Sequence, residues 1–224
     1  MCGRFTLTTE PNILQDYFPF ALPGELAASW EPRYNVAPTN HIWTVGPNLD
    51  GVLTAEVLRW GLTPHWAKTL STSFINARSE TVASKPAFRT AFKAHRVIVL
   101  SDGYYEWQKP QDGKGKQPHR IVRVDGQPLL MAGLRSYWHG EEGTVGTAAI
   151  VTRSATAHLA AIHDRMPLIL DPDTAQAWIT GDPDEWVDRL AEPPESPPLR
   201  AYPVSSRVNR VGVNDPALVK PLAS

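Results

Sequence analysis

Ile121-Val-Arg-Val-Asp-Gly-Gln-Pro-Leu-Leu-Met-Ala-Gly-Leu134 is the stretch that decides the fold class. Two apolar runs, 121–124 and 129–134, flank an Asp125-Gly126 pair, and that combination reads as a β-hairpin. Just upstream, Val97-Ile-Val-Leu100 is a short unbroken apolar run of the kind buried strands show. Working outward, strands are expected at 42–46, 56–62, 145–152 and 168–170. Helices are expected at 8–18, 86–95, 155–162, 171–180 and 183–190. Pro11 and Pro86 suit the first turns of their helices, where a missing N–H costs nothing. The polar segment 109–119 reads as a flexible hairpin loop, and residues 19–32 as a Pro- and Gly-bearing break. The four prolines of 193–198 point to an extended segment crossing the surface. Strands and helices mix without a regular βαβ rhythm. The expectation is one α+β domain over 1–224, with a curved, mostly antiparallel sheet or barrel-like core and flanking helices.

The chain has 224 residues, 42% of them hydrophobic and 20% charged, which excludes a disordered polymer. Its single cysteine excludes a disulfide framework and any Cys-rich zinc or iron–sulfur site. No run of 18 apolar residues predicts a membrane span, and the first residues carry no basic-then-apolar leader. A reducing cytoplasm is therefore expected. The net charge of −1 argues against a uniformly basic nucleic-acid coat. The sum hides an asymmetry. Residues 57–101 hold seven basic residues against Glu80 alone, whereas 171–195 hold eight acids against Arg189 alone.

Four short constellations carry chemistry. Cys2 follows the initiator Met, and removal of Met1 would put a free α-amine and a thiol on one residue. The amine titrates near ~7.7–8.0 and the thiol near ~8.5. Such a 1,2-aminothiol condenses with an aldehyde to a Schiff base and then closes a thiazolidine ring. Alternatively the amine serves as base for the thiol, as in N-terminal nucleophile hydrolases. The bland reading is a frayed terminus. In Ile75-Asn-Ala-Arg-Ser-Glu-Thr81, Asn76 can orient a reacting group and Arg78 can clamp a phosphate, or Ser79 and Thr81 are merely helix caps. In Ser101-Asp-Gly-Tyr-Tyr-Glu-Trp107, Glu106 is a carboxylate among aromatics, hence a candidate for a raised pKa and acid–base work. His163 sits where a helix gives way to an extended segment, with a neutral-range pKa or a capping role. The other six histidines show no metal spacing, so neither metal nor cofactor is expected. Among eight tryptophans, Trp66 in the Trp60-Gly-Leu-Thr-Pro-His-Trp66 turn is the one expected at the surface, placed to stack on unpaired bases.

Taken in order, Met1-Cys-Gly-Arg-Phe5, Tyr34-Asn-Val-Ala-Pro-Thr39, 60–66, 75–81, 102–107 and Ile162-His-Asp-Arg-Met-Pro167 resemble the SRAP family. These are the SOS response-associated peptidase, or abasic-site processing, proteins. The likeness runs from residue 2 to about 216, including Val204-Ser-Ser-Arg-Val-Asn209. It implies a sensor of abasic sites in single-stranded DNA whose N-terminal Cys forms a thiazolidine crosslink with the sugar aldehyde. Carried over, Cys2 is the nucleophile, Asn76 positions the reacting groups, and Glu106 and His163 manage protons. Arg4, Asn35, Pro38, Trp66 and Arg78 form the implied DNA-binding set. The resemblance also implies self-removal of Met1, a β-elimination (lyase) capacity, a monomer, no membrane, and nucleoid association in a bacterium. Two rivals stand beside it. One is an N-terminal nucleophile amidotransferase or peptidase, although the chain has no Asn-Gly dipeptide. The other is a non-catalytic single-strand binding module, for which Cys2→Ala would change nothing.

Overall fold

The structure, a computed structural model, describes residues 2–109, 115–141 and 143–222. In chain order its elements are β1 (Phe5–Leu7), α1 (Pro11–Tyr17), α2 (Gly24–Ala28), β2 (Arg33–Val36), β3 (His41–Pro47), β4 (Leu53–Trp60), β5 (Asn76–Arg78) and α3 (Arg89–Ala94). There follow β6 (Arg96–Ser101), β7 (Gly103–Gln108), β8 (Gln117–Arg123), β9 (Leu129–Gly140), β10 (Gly143–Ser154), α4 (Ala157–Ala160), β11 (Arg165–Pro167), β12 (Ile169–Leu170), α5 (Pro172–Thr180), α6 (Pro183–Ala191) and β13 (Leu199–Pro203).

The long strands β9 and β10 form an antiparallel hairpin from Gly140↔Gly143 to Gly133↔Ile150. From there the pairing continues around a ring. β9 pairs β6, β6 pairs β3, β3 pairs β4, and β4 returns to β10. Five strands thus close a barrel, and closure removes the free edges that invite aggregation. A closed ring holds an even number of antiparallel pairs, so five strands require at least one parallel pair. That pair is β10 with β4, Thr147↔Arg59 and Ala148↔Trp60. β5 also runs parallel to β10, at Ile150↔Asn76. A second sheet, ordered β13-β8-β7-β1-β2, is antiparallel throughout.

Period-2 alternation splits the core in two. Ile98 and Leu100 of β6, Leu130, Ala132 and Leu134 of β9, and Ala149 and Val151 of β10 pack with Phe92 of α3, Trp178 of α5 and Trp186 of α6. The intervening residues Val99, Leu129, Met131, Ala148 and Ile150 pack instead with Phe5, Tyr104 and Ile121 of the second sheet, and with Cys2. Arg96 locks the helices on. Its buried guanidinium donates to the carbonyls of Trp178 at 2.5 Å and Phe92 at 2.8 Å. Helices α5 and α6 start where an Asp caps a Pro. The Asp171 carboxylate accepts from the Thr174 N–H and Asp182 from the Asp184 N–H, each at 2.8 Å. At Gly103 an added Cβ would lie 2.8 Å from Nε of Arg120, so a side chain there would displace that guanidinium.

The hairpin expected across 121–134 does not form. The Asp125-Gly126 turn is real, with Gly126 at φ +75° and the Gln127 N–H donating to Asp125. But it joins strands of different sheets. A strand has two edges, and those of β8 are taken by β7 and β13 while those of β9 are taken by β6 and β10. β8 instead forms a hairpin with the strand preceding it, β7, and β9 with the strand following it, β10. Within the segment read as a flexible loop, Gln117 to His119 belong to β8, and 110–114 lie outside the described residues. The helices read at 8–18, 86–95 and 155–162 shorten to α1, α3 and α4, and α2 forms inside the stretch read as a break.

Candidate active site

Cys2 precedes β1, and β1 is held on both edges by β2 and β7. That pairing draws the start of the chain between the second sheet and the barrel, where Cys2 is fully buried. Asn76 opens β5 beside β10, and its Nδ2 donates to the backbone carbonyl of Cys2 at 2.8 Å. Its Oδ1 is buried with no hydrogen-bond partner among the described residues. An acceptor left over at this point is available to an amine or a substrate hydroxyl.

Glu106 comes from β7, two residues after Tyr104 and on the same face, and is 3% exposed. Burial pushes its carboxyl up to about 7, against the pull of the positive charge at the chain's N-terminus. His163 lies in the connection from α4 to β11, with Nε2 3.9 Å from Oε2 of Glu106. Its Nδ1 lies 3.0 Å from the Arg165 backbone N–H, which donates to it in the tautomer that carries the proton on Nε2, the nitrogen nearer Glu106. The exposed carboxylate of Asp164 lies 2.9 Å from the same Nδ1, ready to accept from it when the ring is cationic. Burial, then the N-terminal charge, hold the imidazole below its ordinary value. Burial first, and then the negative charge of Glu106, push the Cys2 thiol up. Thiolate and carboxylate oppose one another, so the pair retains a proton.

Outside this buried cluster an open groove is lined by Trp66, Phe74, Asn76, Arg78, Lys85 and Phe88. Phe74 and Phe88 meet edge-on at 5.4 Å, and Trp66 is 53% exposed. Asn76 is common to the groove and the cluster, so the groove borders the cluster at that wall. Aromatic faces beside Arg78 and Lys85 suit a single nucleic-acid strand held by stacking and phosphate contacts. Among the described residues no group of three or more His, Cys, Asp and Glu is arranged to hold a metal ion.

The sequence model of one protein family, described as SOS response associated peptidase (SRAP), matches residues 1–211. The chain belongs to the SRAP family. It is 37% identical to the abasic site processing protein YoqW of Bacillus subtilis, over 98% of this chain and 99% of that one. It is 36% identical to the abasic site processing protein YedK of Escherichia coli, over 80% and 79%. The likeness extends to the abasic site processing protein HMCES of Xenopus tropicalis, at 31% identity over 96% of this chain and 77% of that one. A solved protein from Bacteroides thetaiotaomicron shares the fold at a TM-score of 0.84 and 23% identity, covering 99% of this chain and all of the other.

In this SRAP chain the expected site residues divide into two groups. Cys2, Asn76, Glu106 and His163 come together, and Trp66 and Arg78 border them. Arg4 and Asn35 are turned elsewhere. Arg4 Nη1 donates to Asn35 Oδ1 at 2.7 Å and to the Val208 carbonyl at 2.6 Å, and Asn35 Nδ2 donates to the carbonyls of Arg210 and Val213. Both are buried, and they clamp the C-terminal segment onto the outer face of the second sheet. Pro38 is half-buried in the turn 37–40, which is tied to β4 where the Thr39 N–H donates to the Trp60 carbonyl. Thr39 there has φ +73°, a strained value for a β-branched residue. The sequence reading missed one support. Arg165 pairs with Glu80 through both nitrogens, at 2.5 and 3.0 Å, tying the His163 connection to the chain just after Asn76. Both residues lie inside the quoted motifs, but only the fold shows that they meet.

Proposed function

We propose that this protein captures abasic sites in single-stranded DNA through the α-amine and thiol of Cys2, once Met1 is removed. The amine adds to the ring-opened sugar aldehyde and loses water to give an imine. The thiol then adds to the imine carbon, its proton passes to nitrogen, and a thiazolidine closes, with no oxidant or reductant consumed. The observation that carries the reading is the convergence of Asn76, Glu106 and His163 on Cys2. Asn76 fixes the Cys2 backbone and offers its free Oδ1 to the amine or to the sugar hydroxyl. Glu106, at about 7, is suited to give a proton to the departing water and to take one from the thiol. His163 supplies or recovers that proton through Nε2. Burial keeps the resting thiol protonated, which protects it from oxidation until the imine is in place. The strand lies along Trp66, Arg78 and Lys85. The curated relatives named as abasic site processing proteins support the substrate class. The same imine is the branch point for β-elimination.

The test is to mix chain lacking Met1 with single-stranded DNA carrying one abasic site. A heat-stable crosslink is expected from wild type and none from Cys2→Ala. Wild type that forms no crosslink, with Met1 verifiably absent, overturns the reading.

A further inference from the structure

We propose that His119 relays the proton of Glu106 to and from solvent, a role that rests on the chemistry proposed above. The argument begins with register. On β7 and β8, Tyr104 faces Ile121 and Glu106 faces His119. Directly opposed residues of an antiparallel pair share a face, with Cβ atoms roughly 4.5–5.5 Å apart. Tyr104 and Ile121 both belong to the apolar cluster that contains Cys2, so Glu106 and His119 lie on that same face. The alternate residues Tyr105 and Arg120 serve the opposite face, where Tyr105 packs under the C-terminal segment and Arg120 pairs with Asp102.

The two histidines near Glu106 meet different partners at Nδ1. Nδ1 of His163 meets both the Arg165 backbone N–H, at 3.0 Å, and the Asp164 carboxylate, at 2.9 Å, so either ring nitrogen can carry its proton. His119 Nδ1 lies 3.2 Å from the Gln117 carbonyl, which only accepts, so Nδ1 carries the proton and Nε2 has a free lone pair. His119 is therefore the neighbour of Glu106 whose Nδ1 partner fixes an accepting Nε2. His119 is half-buried, and burial holds it below its ordinary value, so it is a neutral base at neutral pH. The other titratable groups around Glu106 are Cys2 and the N-terminal amine from the β1 side, Tyr104 on β7, and His163 and Asp164 from the α4–β11 connection, with Lys116 acting on His163. None of these combines a free lone pair at neutral pH with a place in the Glu106 register. The step is a proton transfer. The Glu106 carboxyl O–H breaks, an N–H forms at Nε2 of His119, and the resulting imidazolium and carboxylate separate as the ring releases its proton to water.

The experiment measures single-turnover crosslinking of abasic single-stranded DNA across pH 5.5–8.5, using full chain lacking Met1. His119→Phe keeps an aromatic ring in place and His119→Ala opens space. Crosslinking is expected to slow about tenfold in both, less than for a primary acid–base residue because water partly substitutes. The pH profile should shift, and added imidazole should accelerate His119→Ala but not His119→Phe. A His119→Phe rate and pH profile that match wild type overturn the relay while leaving the Cys2 chemistry standing. Slowing without a profile shift or imidazole rescue also overturns it, since that marks a packing effect. Wild type that never crosslinks overturns both readings.

Discussion

Glu106→Gln separates what the buried carboxyl does for chemistry from what it does to stability. Raising the carboxyl from 4.5 to about 7 means that the fold binds this proton more tightly than the unfolded chain does. At about 1.4 kcal/mol per pH unit the difference amounts to about 3 kcal/mol. The sign follows from linkage. The contribution is fully favourable below pH 4.5, falls through the window from 4.5 to 7, and is lost above it, because the ionised form is held in a site that disfavours charge. Gln has the same shape and no proton to lose, so the variant lacks this fall. For a chain of this size, about 3 kcal/mol corresponds to roughly 6–12 °C in Tm. Thermal unfolding of wild type and Glu106→Gln, both at the same Met1 status, should give similar midpoints at pH 4.5–5. By pH 8 the variant should melt well above wild type. His95, His119 and His163 are held below their ordinary value, so they act in the opposite direction, weakening the fold as pH falls. They are present in both chains and cancel to first order in the comparison. Parallel midpoints from pH 5 to 8 would refute the assignment of Glu106 as a buried carboxyl with a raised pKa. The same variant should crosslink about 10²–10⁴ times more slowly, so it is expected to be more stable and nearly inactive.

Asn76→Ala should lower the single-turnover crosslinking rate about 10²-fold with little change in DNA affinity, because it frees the Cys2 backbone while leaving Trp66 and Arg78 in place. Trp66→Ala should weaken binding to single strands by about 1–3 kcal/mol without moving Tm, read by fluorescence anisotropy at several salt concentrations. Arg96→Met should cost about 3 kcal/mol or more in chemical denaturation, since it strips donors from the buried carbonyls of Phe92 and Trp178. Arg4→Ala should speed proteolysis within 204–222, measured by mass spectrometry, because it removes the clamp on the Val208 carbonyl.

What the sequence revealed, and what it hid, follows from the range of the interactions concerned. The Val97–Leu100 strand and the helices at 171–180 and 183–190 rest on local signals, and they are present as read. Trp66, read as the exposed tryptophan of its turn, is exposed. The 121–134 hairpin failed because turn chemistry at Asp125-Gly126 constrains two strands to reverse direction but not to pair. Which edges they use is decided by the competing hairpins with β7 and β10 and by β6 and β13, which are remote in sequence. The basic stretch of 57–101 was likewise only partly a surface. Arg96 spends its charge inside, on helix carbonyls, while Arg78 and Lys85 reach the groove. Linear charge counts cannot separate these uses, since both require arginine or lysine at similar spacing.

The Gly103-Tyr-Tyr-Glu-Trp107 run shows why adjacent residues of one motif act on different problems. Tyr104 and Glu106 face the barrel and Cys2, whereas Tyr105 and Trp107 face the C-terminal segment. On that outer face the Tyr105 hydroxyl donates to the Tyr34 carbonyl, the Trp107 indole donates to Asn209, and Arg4 lies over the Trp107 ring. Alternation along β7 therefore couples the two faces through one strand. The outer contacts fix the height and twist of β7, and the inner face inherits the position of Glu106 from them. Arg4 contributes in the same way, since it stands two residues from Cys2, just before β1, accepts from the Tyr105 N–H of β7 and is anchored on the outer side. A residue of the motif can thus serve the position of Glu106 without facing it. The SRAP motifs bundle reacting groups and their supports, and only the direction of each side chain tells them apart.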